Sequence, residues 1–190
     1  MTARPAAAPF VVQKLNHLAW RCRDAEETRH FYEDVLGLPL AHVVRADTVP
    51  STGEHCPYVH IFFRLGDGSF VAFFDLGDNR TTAPEPQTPV WVNHLALEVD
   101  SRETLHAAKA RLETAGVEVI GVTDHHWLNS IYFFDPNGYR LELTWRSLGP
   151  EYLAAAERDA HAALHAWSAE KLLMSATPAR PFRSSAGVVR

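Results

Sequence analysis

Cysteine is scarce in this chain. Cys22 and Cys56 form no Cys-x-x-Cys pair and are too few for a disulfide framework, so both are expected to be reduced thiols of a cytoplasmic protein. Long apolar runs are missing too: nothing approaches the roughly 20 residues of a membrane helix, and Ala6-Ala7-Ala8 is too short a core for a signal sequence. Positive charge is in the minority, 18 Lys and Arg against 23 Asp and Glu, and is nowhere dense. That balance argues against nucleic acid as a partner and leaves small molecules as the default. What is present is a 46% hydrophobic chain of 190 residues. A chain of that size buries roughly 70% of its unfolded surface and needs no staples. Its eleven histidines exceed what packing requires and have to be weighed as ligands or acid/base groups.

The main organising feature is a repeat. Asn16-His17-Leu18-Ala19 returns as Asn93-His94-Leu95-Ala96. Around each copy, residues alternate as in short strands, and an acidic or hydroxyl helix start follows, Asp24 with Glu27 and Ser101 with Thr104. The first helix carries Thr28, Phe31, Tyr32, Val35 and Leu36 and stops at Gly37. The second carries Leu105, Ala108, Leu112 and Ala115 and stops at Gly116. Strands are expected next at 38–44 and 117–122. Aromatic hairpins follow, turning at Asp67-Gly68 and at Asp135-Pro136-Asn137-Gly138.

The expected fold is therefore α+β: two tandem βαβββ modules forming a cupped mixed sheet around a metal site, with a C-terminal helical extension. Residues 1–11 read as an arm, 12–76 as the first module, 77–91 as a proline-rich linker and 92–146 as the second module. The Ala-rich stretch 147–174 reads as helix, with apolar positions suited to the outside of the sheet or to a second subunit. Residues 175–190 read as a flexible tail.

Metal sites draw neutral imidazoles and ionised carboxylates from separate elements. His17 and His94 occupy matching places on matching strands, and Glu142 lies between Leu141 and Leu143 in an apolar run where an unpartnered carboxylate is costly. One strand histidine alone is more often a packing residue. Three such donors at related positions are hard to explain that way, and two His with one carboxylate make a facial triad with open positions. Trp20, Phe62, Phe73, Tyr132 and Phe134 are expected to line a cavity fit for a flat apolar ligand.

The stretches Asn16–Ala19, Phe31-Tyr32-Glu33-Asp34-Val35-Leu36-Gly37-Leu38 and 130–143, ending at Glu142, resemble the vicinal oxygen chelate superfamily over about residues 12–146. That superfamily includes glyoxalase I, fosfomycin-resistance thiol transferases, bleomycin-binding proteins, methylmalonyl-CoA epimerase and extradiol ring-cleaving dioxygenases. The resemblance implies His17, His94 and Glu142 as ligands of a divalent metal. Aligning Gly68 with Gly138 puts Ala72 where glyoxalases typically place a fourth ligand, which demotes glyoxalase chemistry.

The three-ligand pattern that remains resembles that of an extradiol dioxygenase using Fe(II), with Mn(II), Ni(II) or Zn(II) as alternatives. A small catechol-like aromatic and dioxygen are the implied substrates, and a homodimer the implied assembly. Tyr132 matches the family tyrosine that hydrogen-bonds a substrate oxygen, and its packing in the strand explains it equally well. The acid/base histidines match imperfectly: His125 or His126 lies near one place, Ser69 occupies the other, and His60 is a substitute from another direction. A glyoxalase-, epimerase- or fosfomycin-type enzyme is the alternative reading, and a non-catalytic bleomycin-type binding protein is a third.

Overall fold

Helix starts and stops fall where polar caps and glycines put them. Asp24 Oδ1 accepts from the Glu27 amide at 2.7 Å and Ser101 Oγ from the Thr104 amide at 3.0 Å, satisfying amides that have no partner within the helix. Gly37 and Gly116, at φ 82° and 80°, take the left-handed conformation that ends each helix. In the computed structural model, residues 11–82 and 87–176 are described, the side chains as far as Leu173. Most of the arm at 1–11, residues 83–86 of the linker and nearly all of the tail at 175–190 lie outside the described residues.

The first half runs β1 (His17–Arg21), α1 (Ala25–Arg29) continuing as a π-helical turn (His30–Val35), β2 (Leu40–Thr48), β3 (His55–Arg64) and β4 (Phe70–Asp75). The second runs β5 (Leu95–Glu98), α2 (Arg102–Thr114), β6 (Ile120–Asp124), β7 (Leu128–Phe134) and β8 (Arg140–Arg146). Each is βαβββ, in the order that the repeat predicts. The widened turn after Arg29 brings Phe31 and Tyr32 together inward, both buried. The strands predicted at 38–44 and 117–122 begin later and extend further, since β2 and β6 follow their hairpin partners rather than the apolar run alone.

The halves form two four-stranded mixed sheets, β1-β4-β3-β2 and β5-β8-β7-β6, each with one parallel pair made by its first and last strands. Alternation sorts every strand into two faces. Ile61, Phe63, Val71 and Phe73 of the first sheet and Ile131, Phe133, Leu141 and Leu143 of the second belong to one core, joined through Phe31 and Tyr32. Phe73, expected to line the ligand cavity, is thus a core residue with no exposed surface. The residues of opposite parity, His17 and Phe62 on one sheet and Glu142 and Tyr132 on the other, lie on the faces turned away from that shared core.

The halves are also joined by a buried polar clasp at Asp135-Pro136-Asn137-Gly138. Asp135 Oδ1 accepts from the amides of Asn137 and Tyr139 at 2.9 and 2.8 Å, and Oδ2 accepts from Tyr32 Oη at 3.1 Å. Asn137 donates to Thr28 Oγ1 at 3.1 Å and accepts from the Arg23 amide at 2.9 Å. Burial pushes the Asp135 carboxyl above its ordinary value, and these three donors, with Asn137 Nδ2 at 3.2 Å from Oδ2, hold it against that cost. Trp20 stacks on Tyr139 with centroids 4.3 Å apart, and Tyr139 Oη donates to the Arg21 carbonyl at 2.8 Å.

Beyond Arg146 the chain forms a separate unit containing α3 (Pro150–Ala176), where the helical extension is predicted. Leu164, Trp167, Leu172 and Leu173 are exposed on it. No helix among the described residues is long and apolar enough to cross a membrane.

Asp135→Ala is expected to lower the unfolding free energy by about 3 kcal/mol, since it strands buried donors of both halves, and Tyr32→Phe by about 1 kcal/mol. Urea denaturation followed by circular dichroism measures both, and equal losses for the two variants would show that the clasp is not the seam.

Candidate functional site

His94 immediately precedes β5, and Glu142 lies on β8 directly beside Ala96, so the parallel pairing of β5 with β8 sets the two side chains together. His94 Nε2 is 3.0 Å from Glu142 Oε2. Glu142 is 5% exposed, too buried to keep its charge without partners. It has three: His94, the hydroxyl of Ser130, which donates to Oε1, and Tyr132 Oη, which donates to the same oxygen at 3.2 Å. The β7–β8 register supplies the last two, with Tyr132 opposite Glu142 and Ser130 opposite Thr144 on the same face.

The chain of hydrogen bonds continues outward, where Tyr132 Oη meets His125 Nε2 at 2.7 Å. Burial, followed by the Glu142 carboxylate, pushes the Tyr132 phenol up, so it stays protonated at neutral pH and serves as a donor. Of the two loop histidines weighed from the sequence, His125 is the one in this chain of bonds. His126 has a left-handed backbone, φ 77°, and its amide donates to Asp124 Oδ1 at 2.7 Å.

His94 Nδ1 lies 3.1 Å from the Val92 carbonyl, an oxygen that can only accept, so Nδ1 carries the proton. Nε2 faces a carboxylate oxygen, donating to it when protonated and offering it a lone pair when not. Two acceptors at that spacing need a proton or a cation between them, and a carbonyl behind the remote nitrogen is the usual support of a metal-ligating imidazole. The donor set and its protonation therefore fit a divalent cation. His17 is prepared in the same way, with Nδ1 2.8 Å from Asn16 Oδ1.

His17 is nevertheless not part of this cluster. It projects from the first sheet, beside Phe62 at 5.6 Å and His60 at 6.0 Å between ring centroids. Among the described residues no three His, Cys, Asp or Glu side chains converge closely enough to hold a metal. The reason is topological: both functional faces turn away from the core that the halves share. His60 is likewise distant from Tyr132 along the fold. It is buried between Phe62 and Phe74, stacked on the latter at 3.7 Å, and its Nε2 has no hydrogen-bond partner. Burial, then the neighbouring His17 and His42, lower its pKa to about 4.

Ala72 pairs with Ala19 and Phe62 where Glu142 pairs with Ala96 and Tyr132, so the first half has a methyl group in the carboxylate's place. Asp75 instead accepts from the Ala25 and Gly77 amides, and Ser69 is bonded to Asp67. Sequence reasoning missed Ser130 and Arg140. Folding the hairpin at Pro136-Asn137 puts both on the Glu142 face, a signal that alternation alone could have given.

The sequence profile of the Glyoxalase/Bleomycin resistance protein/Dioxygenase superfamily matches residues 14–143. Solved structures share the fold. A glyoxalase/dioxygenase from Nostoc punctiforme is 22% identical, with 77% of this chain and 100% of that one covered and a TM-score of 0.55. The trypanothione-dependent glyoxalase I of Leishmania major is 18% identical, covering 78% and 95%, with a TM-score of 0.55. An antibiotic-binding protein, TnmS3, from Streptomyces sp. CB03234 is 22% identical, covering 73% and 99%, with a TM-score of 0.50.

One pH effect follows from His60. The unfolded chain takes up a proton near pH 6.5 that the native ring refuses until about pH 4, so stability falls as pH drops through that window. The melting temperature of EDTA-treated protein is expected to decline between pH 7 and 4.5, and His60→Phe to decline visibly less. Parallel profiles would mean that His60 is not a source of the acid sensitivity.

Proposed function

Because the chain belongs to the glyoxalase/bleomycin resistance protein/dioxygenase superfamily, we propose that it is a metal-dependent enzyme, an extradiol ring-cleaving dioxygenase of a small catechol-like aromatic. The observation that carries this reading is the unbroken hydrogen-bond series His94, Glu142, Tyr132, His125 on one sheet face. It joins a metal-fit pair of donors to a protonated phenol and a titratable imidazole. A site that only sequesters a ligand has no need of that connection.

In this reading His94, Glu142 and His17 of the partner subunit hold the cation, iron(II), in a homodimer whose copies set the first half of one against the second half of the other. Several features support this. His17 is exposed with its Nδ1 already engaged, and Ile120, Val122 and Phe134 leave apolar surface open around the Glu142 face. The chemistry that bound iron(II) supplies is chelation of two vicinal oxygens and activation of dioxygen beside them. A substrate hydroxyl bonded to Tyr132 Oη fixes the ring's orientation; as that oxygen takes the hydroxyl proton, the phenol's own proton passes to His125 Nε2, 2.7 Å behind it, and the relay runs back to return it. Ser130 keeps Glu142 aligned while its other oxygen is engaged.

The methyl group of Ala72 at the fourth-ligand position favours this over glyoxalase chemistry, which stands as the second reading with epimerase and thiol transfer.

Anaerobically purified protein is expected to hold about one iron per chain by elemental analysis, and His17→Ala, His94→Ala and Glu142→Ala each to lose it. Mixing unfolded His17→Ala with Glu142→Ala and refolding them together should restore about a quarter of the sites, because half the dimers then have one intact site. No recovery would sink the shared site. In an oxygen-electrode screen of catechols, Tyr132→Phe and His125→Ala are each expected to slow uptake by about 100-fold. An iron-replete sample that consumes no oxygen with any catechol, yet turns over a hemithioacetal, would replace the dioxygenase reading with the second one.

A further inference from the structure

A cavity of about 530 Å³ opens beside His94, walled by Trp20, Val90, Phe134 and Tyr139 and containing one cation, Arg140. The Arg140 guanidinium stands over the Tyr132 ring with Cζ 4.5 Å from its centroid. Its Nε is shielded from solvent and has no hydrogen-bond partner. Arg21, Arg23 and Arg29 each pair with a carboxylate; among the described residues Arg140 pairs with none. A planar fork of N–H donors in a mostly apolar cavity lacks an acceptor, and a carboxylate is the acceptor whose geometry matches it.

Nor does the opposite face supply one. The residues that share His17's face on β1, β3 and β4, from Ala19 and Arg21 through His60 and Phe62 to Phe70 and Phe74, include no carboxylate. Among the described residues the one acid held at that face, Asp78, is already paired with Arg21. The missing charge therefore belongs to the ligand. Across the face the order is Arg140, Tyr132, then Glu142 with His94, so an anion held at Arg140 lies one tyrosine ring from the metal-fit pair.

We propose that the substrate is an aromatic carboxylate, its carboxylate held by Arg140, its flat body against Phe134 and its vicinal oxygens turned toward His94 and Glu142. The inference rests on the functional reading above and narrows its substrate class.

Calorimetric titration under nitrogen with 3,4-dihydroxybenzoate, catechol and benzoate tests it, using the full chain both iron-loaded and EDTA-stripped. Iron-loaded native protein is expected to bind 3,4-dihydroxybenzoate about 30-fold more tightly than catechol, the usual worth of a charge-assisted pair. Arg140→Met should abolish that preference, bringing the ratio of the two affinities to about one. Arg140→Lys, which keeps the charge and loses the fork, should retain only part of it and serves in place of the methionine variant if that one fails to fold. Equal affinity for the two catechols in native protein, or an undiminished preference in a folded variant, overturns the proposal. Benzoate binding that survives EDTA and disappears with Arg140 upholds the anion subsite even in protein that binds no iron, so its failure and that of the metal reading are told apart.

Discussion

The clasp formed by Asp135 and Asn137 is the constraint on which the rest of the structure depends. A four-residue turn between two strands of the second sheet is tied by buried and half-buried hydrogen bonds to Thr28, Tyr32 and the Arg23 amide of the first half. Partly satisfied buried polar groups are costly, so such a network admits few relative positions of the halves. The position it selects presses the apolar faces of both sheets on one core and turns the functional faces outward. The separation of His17 from His94 is thus a product of the fold's main seam.

That arrangement divides the work unequally. Position by position along the repeat, the second half has Glu142, Ser130, Thr144 and Arg140 where the first has Ala72, His60, Phe74 and Phe70. One face is polar and hydrogen-bonded, the other aromatic, with His17 and a His60 that stays neutral well below physiological pH. In the proposed dimer the first face would supply His94, Glu142 and the proton carriers, and the second would supply His17 set in a dry aromatic wall. A low-dielectric wall strengthens each electrostatic contact opposite it.

Much of this was legible in the sequence because two periodicities and a repeat carried it. The paired Asn-His-Leu-Ala segments, the caps at Asp24 and Ser101 and the glycines at 37 and 116 are local signals, and local signals place elements well. The repeat matches His17 with His94, while the convergence of Glu142 on His94 was implied by the family resemblance and rests on the parallel pairing of β5 with β8. Less legible was anything set by how the halves meet. Asp135 and Asn137 have the residue types of a turn, and nothing in their spacing tells that their side chains reach Thr28 and Tyr32. Phe73 and Phe62 are both aromatic strand residues, yet only parity relative to the shared core separates the packing residue from the one on the His17 face. Which of His125 and His126 reaches Tyr132 depended on one left-handed residue in a loop.

Trp20 and Tyr139 stack across the seam between the halves and also form a wall of the cavity beside His94. The same two rings therefore report to both. Whatever fills that space adds contacts that exist only while the halves remain docked, so occupancy and docking are linked equilibria: a bound molecule resists prying the halves apart, and prying them apart expels the molecule. A binding pocket built on a joint makes its ligand part of the protein's mechanical strength.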